Sequence, residues 1–246
     1  MIAVIIPYYM EPPEWIRRAI DSVLSQGVGA TPFLMAEGPV QDWIDHLPVR
    51  HIKLGKAHAD YGDTPRAVGS LLALREGATA IAYLDADNYY EPGHLERMQR
   101  VLNEHGADVA TCQRILIRPD GSKIGLDRGE DFRKHTDTSC YLLGSAAFSA
   151  TPIWALMPRP LSIIGDRVFW LALQQRGLKI VHLSQPGVNY TTLWQSHYIA
   201  NGETPPPAAK PNPDQHALLQ WWAGQTEVER NRIRQVLGIP DFSLGT

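Results

Sequence analysis

Ala80-Ile81-Ala82-Tyr83-Leu84-Asp85-Ala86-Asp87 is the segment on which the architecture turns. Five apolar residues run without a polar break and end on two carboxylates. A continuous apolar run of this length suits a strand covered on both faces, as in a parallel sheet. The opening run Ile2-Ala3-Val4-Ile5-Ile6 has the same character and stops at Pro7. Between the two, Pro12-Pro13 introduces a helix with Ile16, Ala19, Ile20, Val23 and Leu24 on one face, ended by Gly27 and Gly29. A second strand follows at residues 32–36, leading to Glu37-Gly38-Pro39, and a third at residues 49–54. Thr64-Pro65 reads as an N-cap followed by Pro at the first helical position. Ala67, Val68, Leu71 and Leu72 give that helix its inner face, and Gly77 closes it.

Downstream of Asp87, a helix runs from about Pro92 to His105, with Leu95, Met98, Val101 and Leu102 inward. Strand and helix alternate through this half of the chain, which predicts an α/β fold with a mainly parallel sheet flanked by helices. Ligands of such sheets bind beyond the carboxyl ends of the strands, where Glu37 and Asp85 both fall. The alternation changes after Val109. Residues 108–117, the turn Pro119-Asp120-Gly121 and Lys123-Ile124 read as a hairpin. A helix begins near Asp166, with Val168, Phe169, Ala172 and Leu173 as its apolar positions, and another strand covers residues 179–183. The Pro-rich stretch 204–213 reads as a linker or extended loop. Ala217, Leu218, Trp221 and Trp222 then open a C-terminal helical segment. The expected divisions are residues 1–110 as the first α/β part, 111–200 as a second part of the same domain, and 201–246 as linker and helical extension.

The chain has 246 residues, 44% of them hydrophobic, enough for one substantial core. Its formal net charge is −3 and no Lys/Arg run forms a patch, so nucleic acid is not an expected partner. An anionic substrate must then be met by local groups: a metal, a few Arg or Lys, or a helix N-terminus. Cys112 and Cys140 are read as free thiols. The opening Met1-Ile2-Ala3-Val4 carries no basic region with a cleavage site, and no apolar run reaches about 18 residues. The expected location is cytoplasmic.

Asp85 and Asp87 stand two apart at a strand end. Mg²⁺ and Mn²⁺ prefer oxygen ligands and often share them with substrate phosphates. A metal spanning two phosphates would neutralise charge on a departing diphosphate. The competing reading is a solvated turn, since Asp, Asn and Pro are all turn residues.

Three segments in order carry a resemblance. They are Val4-Ile5-Ile6-Pro7-Tyr8-Tyr9, the helix from Trp15 to Gln26, and Tyr83-Leu84-Asp85-Ala86-Asp87-Asn88-Tyr89-Tyr90-Glu91-Pro92. Together they resemble glycosyltransferase family two over about the first 110 residues, and loosely as far as Leu183. The resemblance implies the GT-A fold and transfer of a sugar, with inversion, from a nucleotide-diphosphate donor. The donor expected is a UDP-sugar and the acceptor a glycan or glycoconjugate hydroxyl. A lipid-linked acceptor would bring the chain to a membrane surface without a spanning helix. Mn²⁺ or Mg²⁺ is the expected cofactor.

By the same resemblance Pro7 and Tyr8 contact the nucleotide, and Glu37 takes the base-reading position. The family's usual Asp-Asp-Gly-Ser is replaced there by Ala36-Glu37-Gly38-Pro39. Asp85 and Ala86 would face the nucleotide, and Asp87 the metal, with His197 as a further metal ligand. Asp60 would bond the base or ribose. Arg66, at a helix start, suits the diphosphate because Arg and helix N-termini both favour phosphate; Asp63 and Thr64 read as caps. Asp166 sits where the family has an acidic residue opening a helix, and is the candidate base for the acceptor hydroxyl. His135 and Asp137 are candidates to line the acceptor site. Trp154, Trp170 and Trp194 would either stack on sugars or fill the core. A sugar-nucleotide pyrophosphorylase is the alternative enzyme, but the segment after the first strand, residues 7–13, has no Gly or Lys for a triphosphate. A non-catalytic nucleotide-sugar-binding protein is the other alternative.

Overall fold

The computed structural model describes residues 1–128, 132 and 135–244. In chain order the elements are β1 (Ile2–Tyr8), α1 (Pro13–Leu24), β2 (Ala30–Ala36), β3 (Arg50–Lys53), α2 (Asp63–Arg75), β4 (Ala80–Tyr83), β5 (Tyr89–Tyr90) and α3 (His94–His105). Then come β6 (Val109–Ile117), β7 (Lys123–Leu126), β8 (Tyr141–Gly144), α4 (Ile153–Leu156), α5 (Gly165–Gln175), β9 (Ile180–Thr191), α6 (Gln195–Ala200), α7 (His216–Gly224) and α8 (Glu227–Leu237). Short 3₁₀ turns include Thr138–Cys140 and Arg159–Ile164.

The described strands form one sheet, ordered β3-β2-β1-β4-β8-β6-β9-β5, with β7 beside β6. β3, β2, β1 and β4 are parallel to one another. β8 runs antiparallel between β4 and β6, and β9 returns parallel to β6. The fold is therefore mixed α/β, parallel where the sequence alternates strand and helix and mixed beyond Val109. The hairpin of β6 and β7 is present, with a register shift at Leu116/Ile117.

β1 does not stop at Pro7 but continues to Tyr8. The pairing of β1 with β4 ends at Ile5 opposite Tyr83, and Leu84 donates the last bond to Ile5. Among the described residues no strand faces Pro7 on that side, so its missing N–H leaves nothing unpaired there.

Successive residues of β1 and β4 point to opposite faces, giving two cores. Ala3, Ile5, Phe33, Met35, Ile81 and Tyr83 face α2 and α5, where Trp154 stacks on Phe169 at 4.3 Å. Val4, Ile6, Leu34, Ala82 and Leu84 face α1 and α3. Both Trp154 and Trp170 are core residues. The C-terminal helices complete the first core through Leu218, Trp222, Leu237 and Phe242. Thr226 and Glu229 form a capping box that starts α8.

Two details of α2 depart from the sequence reading. Its N-cap is Gly62, in the left-handed region at φ 85°, and Thr64 lies inside the helix. Asp60 does the capping, accepting from the Thr64 amide at 3.1 Å and the Thr64 hydroxyl at 2.5 Å. The inner face is Ala67, Ser70 and Ala73, while Leu71 is 54% exposed. Small residues win because α2 lies close on the sheet. A Cβ on Gly69 would meet Ile5 Cγ2 at 2.6 Å and Met35 Sδ at 3.0 Å. Gly→Ala in a helix ordinarily gains about 1 kcal/mol. Here overpacking against a β-branched core side chain costs about 1–3 kcal/mol and outweighs it. Gly69→Ala should lower the denaturant midpoint without changing the slope of unfolding.

The Pro-rich stretch is tied down at Lys210. Lys210 donates to the Leu193 carbonyl at 2.6 Å, and the Gln195 amide donates to the Lys210 carbonyl at 2.8 Å. Among the described residues no helix is long and apolar enough to cross a membrane. Cys112 and Cys140 are buried thiols that form no disulfide among the described residues.

Candidate active site

The chain leaves β4 through a turn at the carboxyl edge of the parallel strands. The Asn88 amide donates to the Asp85 carbonyl at 2.9 Å. Asn88 is fully buried; its Nδ2 donates to Ser139 Oγ at 3.1 Å, and its Oδ1 accepts from the Thr191 amide at 2.9 Å. Arg18 and the Thr191 hydroxyl both donate to the Asp87 carbonyl. These bonds hold the turn by its backbone and by Asn88, without using either carboxylate. A turn that was merely solvated would need neither the burial nor this bracing.

Asp85 Oδ1 accepts from Arg66 at 2.5 Å. Arg66 is buried, reaching from α2 across the face of Trp154 at 5.3 Å, and also donates to the Tyr61 carbonyl at 2.8 Å. Burial pushes the Asp85 carboxyl up; Arg66 opposes this, while Asp137 and Glu11 add to it. The Asp87 carboxyl is raised well above the usual range, first by burial and then by the charges of Asp85, Glu11 and Asp137. The edge of the sheet is thus crowded with carboxyl groups.

On the opposite wall, the 3₁₀ turn ending at Ile164 leads into α5, which places Asp166 in its first turn. Asp166 Oδ2 hydrogen-bonds His135 Nε2 at 2.6 Å, and Oδ1 accepts from the Arg167 amide at 2.7 Å. Burial raises this carboxyl, but the His135 bond and charge with the Arg167 amide and charge outweigh it, so it lies below the usual range.

The floor is a buried charge network. Arg114, on β6, bonds Asp127 at 2.6 Å and Asp137 at 2.5 Å, and lies over the Tyr190 ring at 4.1 Å. His197 shares a hydrogen bond between Nδ1 and Thr192 Oγ1 at 2.7 Å. Burial, with Arg114 second, lowers His197 to about 4, so it is neutral at physiological pH.

Arg66, Asp85, His135, Asp137, Asp166 and His197 all line one cleft of about 340 Å³. Asp87 is not on its wall, although Asp85 and Asp137 are near enough to perturb it. Pro7, Tyr8, Glu37, Asp60 and Ala86 do not line the cleft. Ala86 is buried. The Tyr8 hydroxyl shares a bond with His51 Nε2 at 2.7 Å, and His51 Nδ1 meets Asp45 at 2.5 Å. Glu37 is paired with His58 Nδ1 at 2.5 Å. Asp60 is committed to the α2 cap. Trp194, which the sequence leaves between core and sugar, lies on the wall.

Sequence reasoning missed Arg114, Tyr190 and the buried position of Asp63 on the same wall. The signal for Arg114 is a charge in the middle of one strand, directly before the apolar run Ile115-Leu116-Ile117. A charge there needs buried partners. Nothing in the local sequence marks Asp127 and Asp137 as those partners.

Among the described residues no group of three or more His, Cys, Asp or Glu side chains is set to hold a metal ion. A hard ion that keeps waters and takes substrate phosphates needs only one or two protein carboxylates. Asp87, a carboxyl raised first by burial and then by the like charges of Asp85, Glu11 and Asp137, with Arg18 the cation near it, fits such an ion chemically.

The family model for glycosyl transferase family 2 matches residues 72–162, the stretch from the second half of α2 to the 3₁₀ turn before α5. The fold is similar to that of S. aureus TarS. The structure of TarS residues 1–349 in complex with UDP aligns at TM-score 0.60 and 15% identity, covering 96% of this chain and 69% of that one. The same region in complex with UDP-GlcNAc aligns at TM-score 0.57 and 13% identity, covering 96% and 70%. The longer TarS structure is 43% covered, at TM-score 0.58. No curated protein sequence matches. The chain thus carries a stretch similar to glycosyl transferase family 2 within a GT-A-like fold.

Proposed function

We propose that the protein transfers a sugar from a nucleotide-diphosphate donor, a UDP-sugar, to a hydroxyl of a glycan or glycoconjugate, with inversion and with help from Mn²⁺ or Mg²⁺. The observation that carries this reading is that Asp85 and Arg66 share one cleft with Asp166. The first two come from the nucleotide side of the sheet and the third from the opposite wall. Support for the donor class comes from the family match and from TarS, whose structures hold UDP and UDP-GlcNAc.

Arg66 is the cation placed to meet a diphosphate, since its guanidinium is buried and always charged. Pairing with Asp85 keeps it aimed. Asp87 and His197 would hold the metal, whose chemistry is to neutralise charge on a departing diphosphate. The Thr192 bond to Nδ1 leaves Nε2 of a neutral His197 for that purpose. Asp166 takes the proton of the acceptor hydroxyl, and His135 keeps the carboxylate ionised and oriented. Arg114 positions Asp137 on the acceptor side. The pyrophosphorylase alternative finds no basic Gly-rich loop after β1. A lipid-linked acceptor would place the work at a membrane surface.

The test is metal-dependent release of nucleoside diphosphate from UDP-sugars. The wild type should release UDP with Mn²⁺ and lose most of that rate in EDTA. Asp87→Ala should lose the dependence, with turnover falling about 10²-fold or more because leaving-group charge is no longer neutralised. Equal rates with and without metal would remove the metal from the account.

A further inference from the structure

Asp63 is an ionisable residue that capping does not explain. Asp60 already satisfies the first turn of α2. Yet Asp63 is 2% exposed and stands on the cleft wall. Its Oδ2 has no hydrogen-bond partner among the described residues. The loop that presents it is strained. Ala59 and Tyr61 take left-handed backbone conformations, at φ 53° and 56°, beside Gly62 at 85°. Non-glycine residues hold that region only where the surroundings impose it.

The opposite wall makes room for this side chain. A Cβ at Gly165 would meet Asp63 Oδ1 at 2.9 Å and Oδ2 at 3.2 Å. The absence of a side chain at the first residue of α5 lets the Asp63 carboxyl pack beside the backbone that carries Asp166. Its compensation is incomplete. Arg66 approaches only to 3.8 Å and is bound more closely to Asp85. The Ser162 hydroxyl favours the carboxylate, whereas Asp60 and Asp166 repel it.

We propose that Asp63 is a further working carboxyl group of this cleft, donating a hydrogen bond from Oδ2 to a carbohydrate hydroxyl oxygen held beside Asp166. The proposal rests on the glycosyl-transfer reading. Two carboxyls crowded on one site, one of them buried, cannot both ionise cheaply. Asp166 has His135 and the Arg167 amide and stays ionised. Asp63 has little and keeps its proton; burial first, then the charges of Asp60 and Asp166, push it up to about 7. The pair is thereby divided into one proton acceptor and one hydrogen-bond donor.

Asn at position 63 keeps a donor but cannot ionise, and Leu keeps the volume with no donor. The first readout needs no turnover. A carboxyl whose native value is raised stabilises the fold at low pH and loses this as pH rises towards 7. The Tm advantage of Asp63→Asn over wild type should therefore widen between pH 5 and pH 8. The second readout is UDP-sugar turnover. Wild-type kcat/KM should fall through about pH 7 as the donor is lost, Asp63→Asn should lack that limb, and Asp63→Leu should be about tenfold or more slower at pH 6 with its fold intact, the worth of one buried hydrogen bond. A flat Tm difference overturns the proposal by itself, as does an identical pH limb in Asp63→Asn or full activity in Asp63→Leu. A widening Tm difference with no turnover by the wild type defeats glycosyl transfer instead, and takes the carbohydrate partner with it.

Discussion

Asp166→Asn should lose about 10²–10⁴-fold in kcat for sugar transfer, the range general-base catalysis supplies. The amide can still bond His135 and can still accept from the Arg167 amide, so α5 should start as before. What it cannot do is take a proton from the acceptor hydroxyl. Nucleotide binding should be unchanged, because Arg66 and Asp85 belong to other elements and Asp166 bonds neither. The loss should therefore fall on kcat, leaving nucleoside diphosphate affinity as it was. The pH profile supplies an independent check. The Asp166 carboxyl lies below the usual range, so wild-type activity should persist until pH falls below the ordinary carboxylate region. Full transfer activity in Asp166→Asn would remove the base from the account.

Arg114→Met should be the most damaging single change to stability, costing about 3–5 kcal/mol, as removal of one partner from a buried ion pair does. The methionine keeps part of the stem and the packing on Tyr190. The charge that holds Asp127 and Asp137 is gone, and both side chains are buried at 2% and 10% exposure. Urea unfolding at pH 7 reads this directly. A deficit well below about 3 kcal/mol would assign the loss to packing alone.

How legible the protein was in its sequence divides at Val109. Up to that point β1, β2 and β4 are largely continuous apolar runs, α1 and α3 carry apolar stripes, and local pattern decides most of the structure. The parallel core of β1, β2 and β4 follows from residues that read the same way in any context. Even there, α2 sits one position away from its apolar stripe, because close approach to Ile5 and Met35 favours Gly69, Ser70 and Ala73 over Leu71. Beyond Val109 the elements are short and their partners distant. The antiparallel insertion of β8 between β4 and β6 has no local signature.

The site shows the same division. Asp85, Arg66 and Asp166 were legible because each marks the end of a strand or the start of a helix. Asp63 and Arg114 were not, because what makes them notable is burial against residues far away in the chain. Glu37, Tyr8 and Asp60 are bound to His58, His51 and Thr64, contacts that spacing does not reveal.

The central claim is that the cleft at the end of β4 binds a nucleoside diphosphate with the help of a divalent ion. Titration calorimetry of the wild type with UDP, GDP and other nucleoside diphosphates, each with Mn²⁺ and again with EDTA, tests it most directly. UDP should bind, and Mn²⁺ should tighten the binding. If no nucleoside diphosphate binds under either condition, the cleft is not a nucleotide-sugar site.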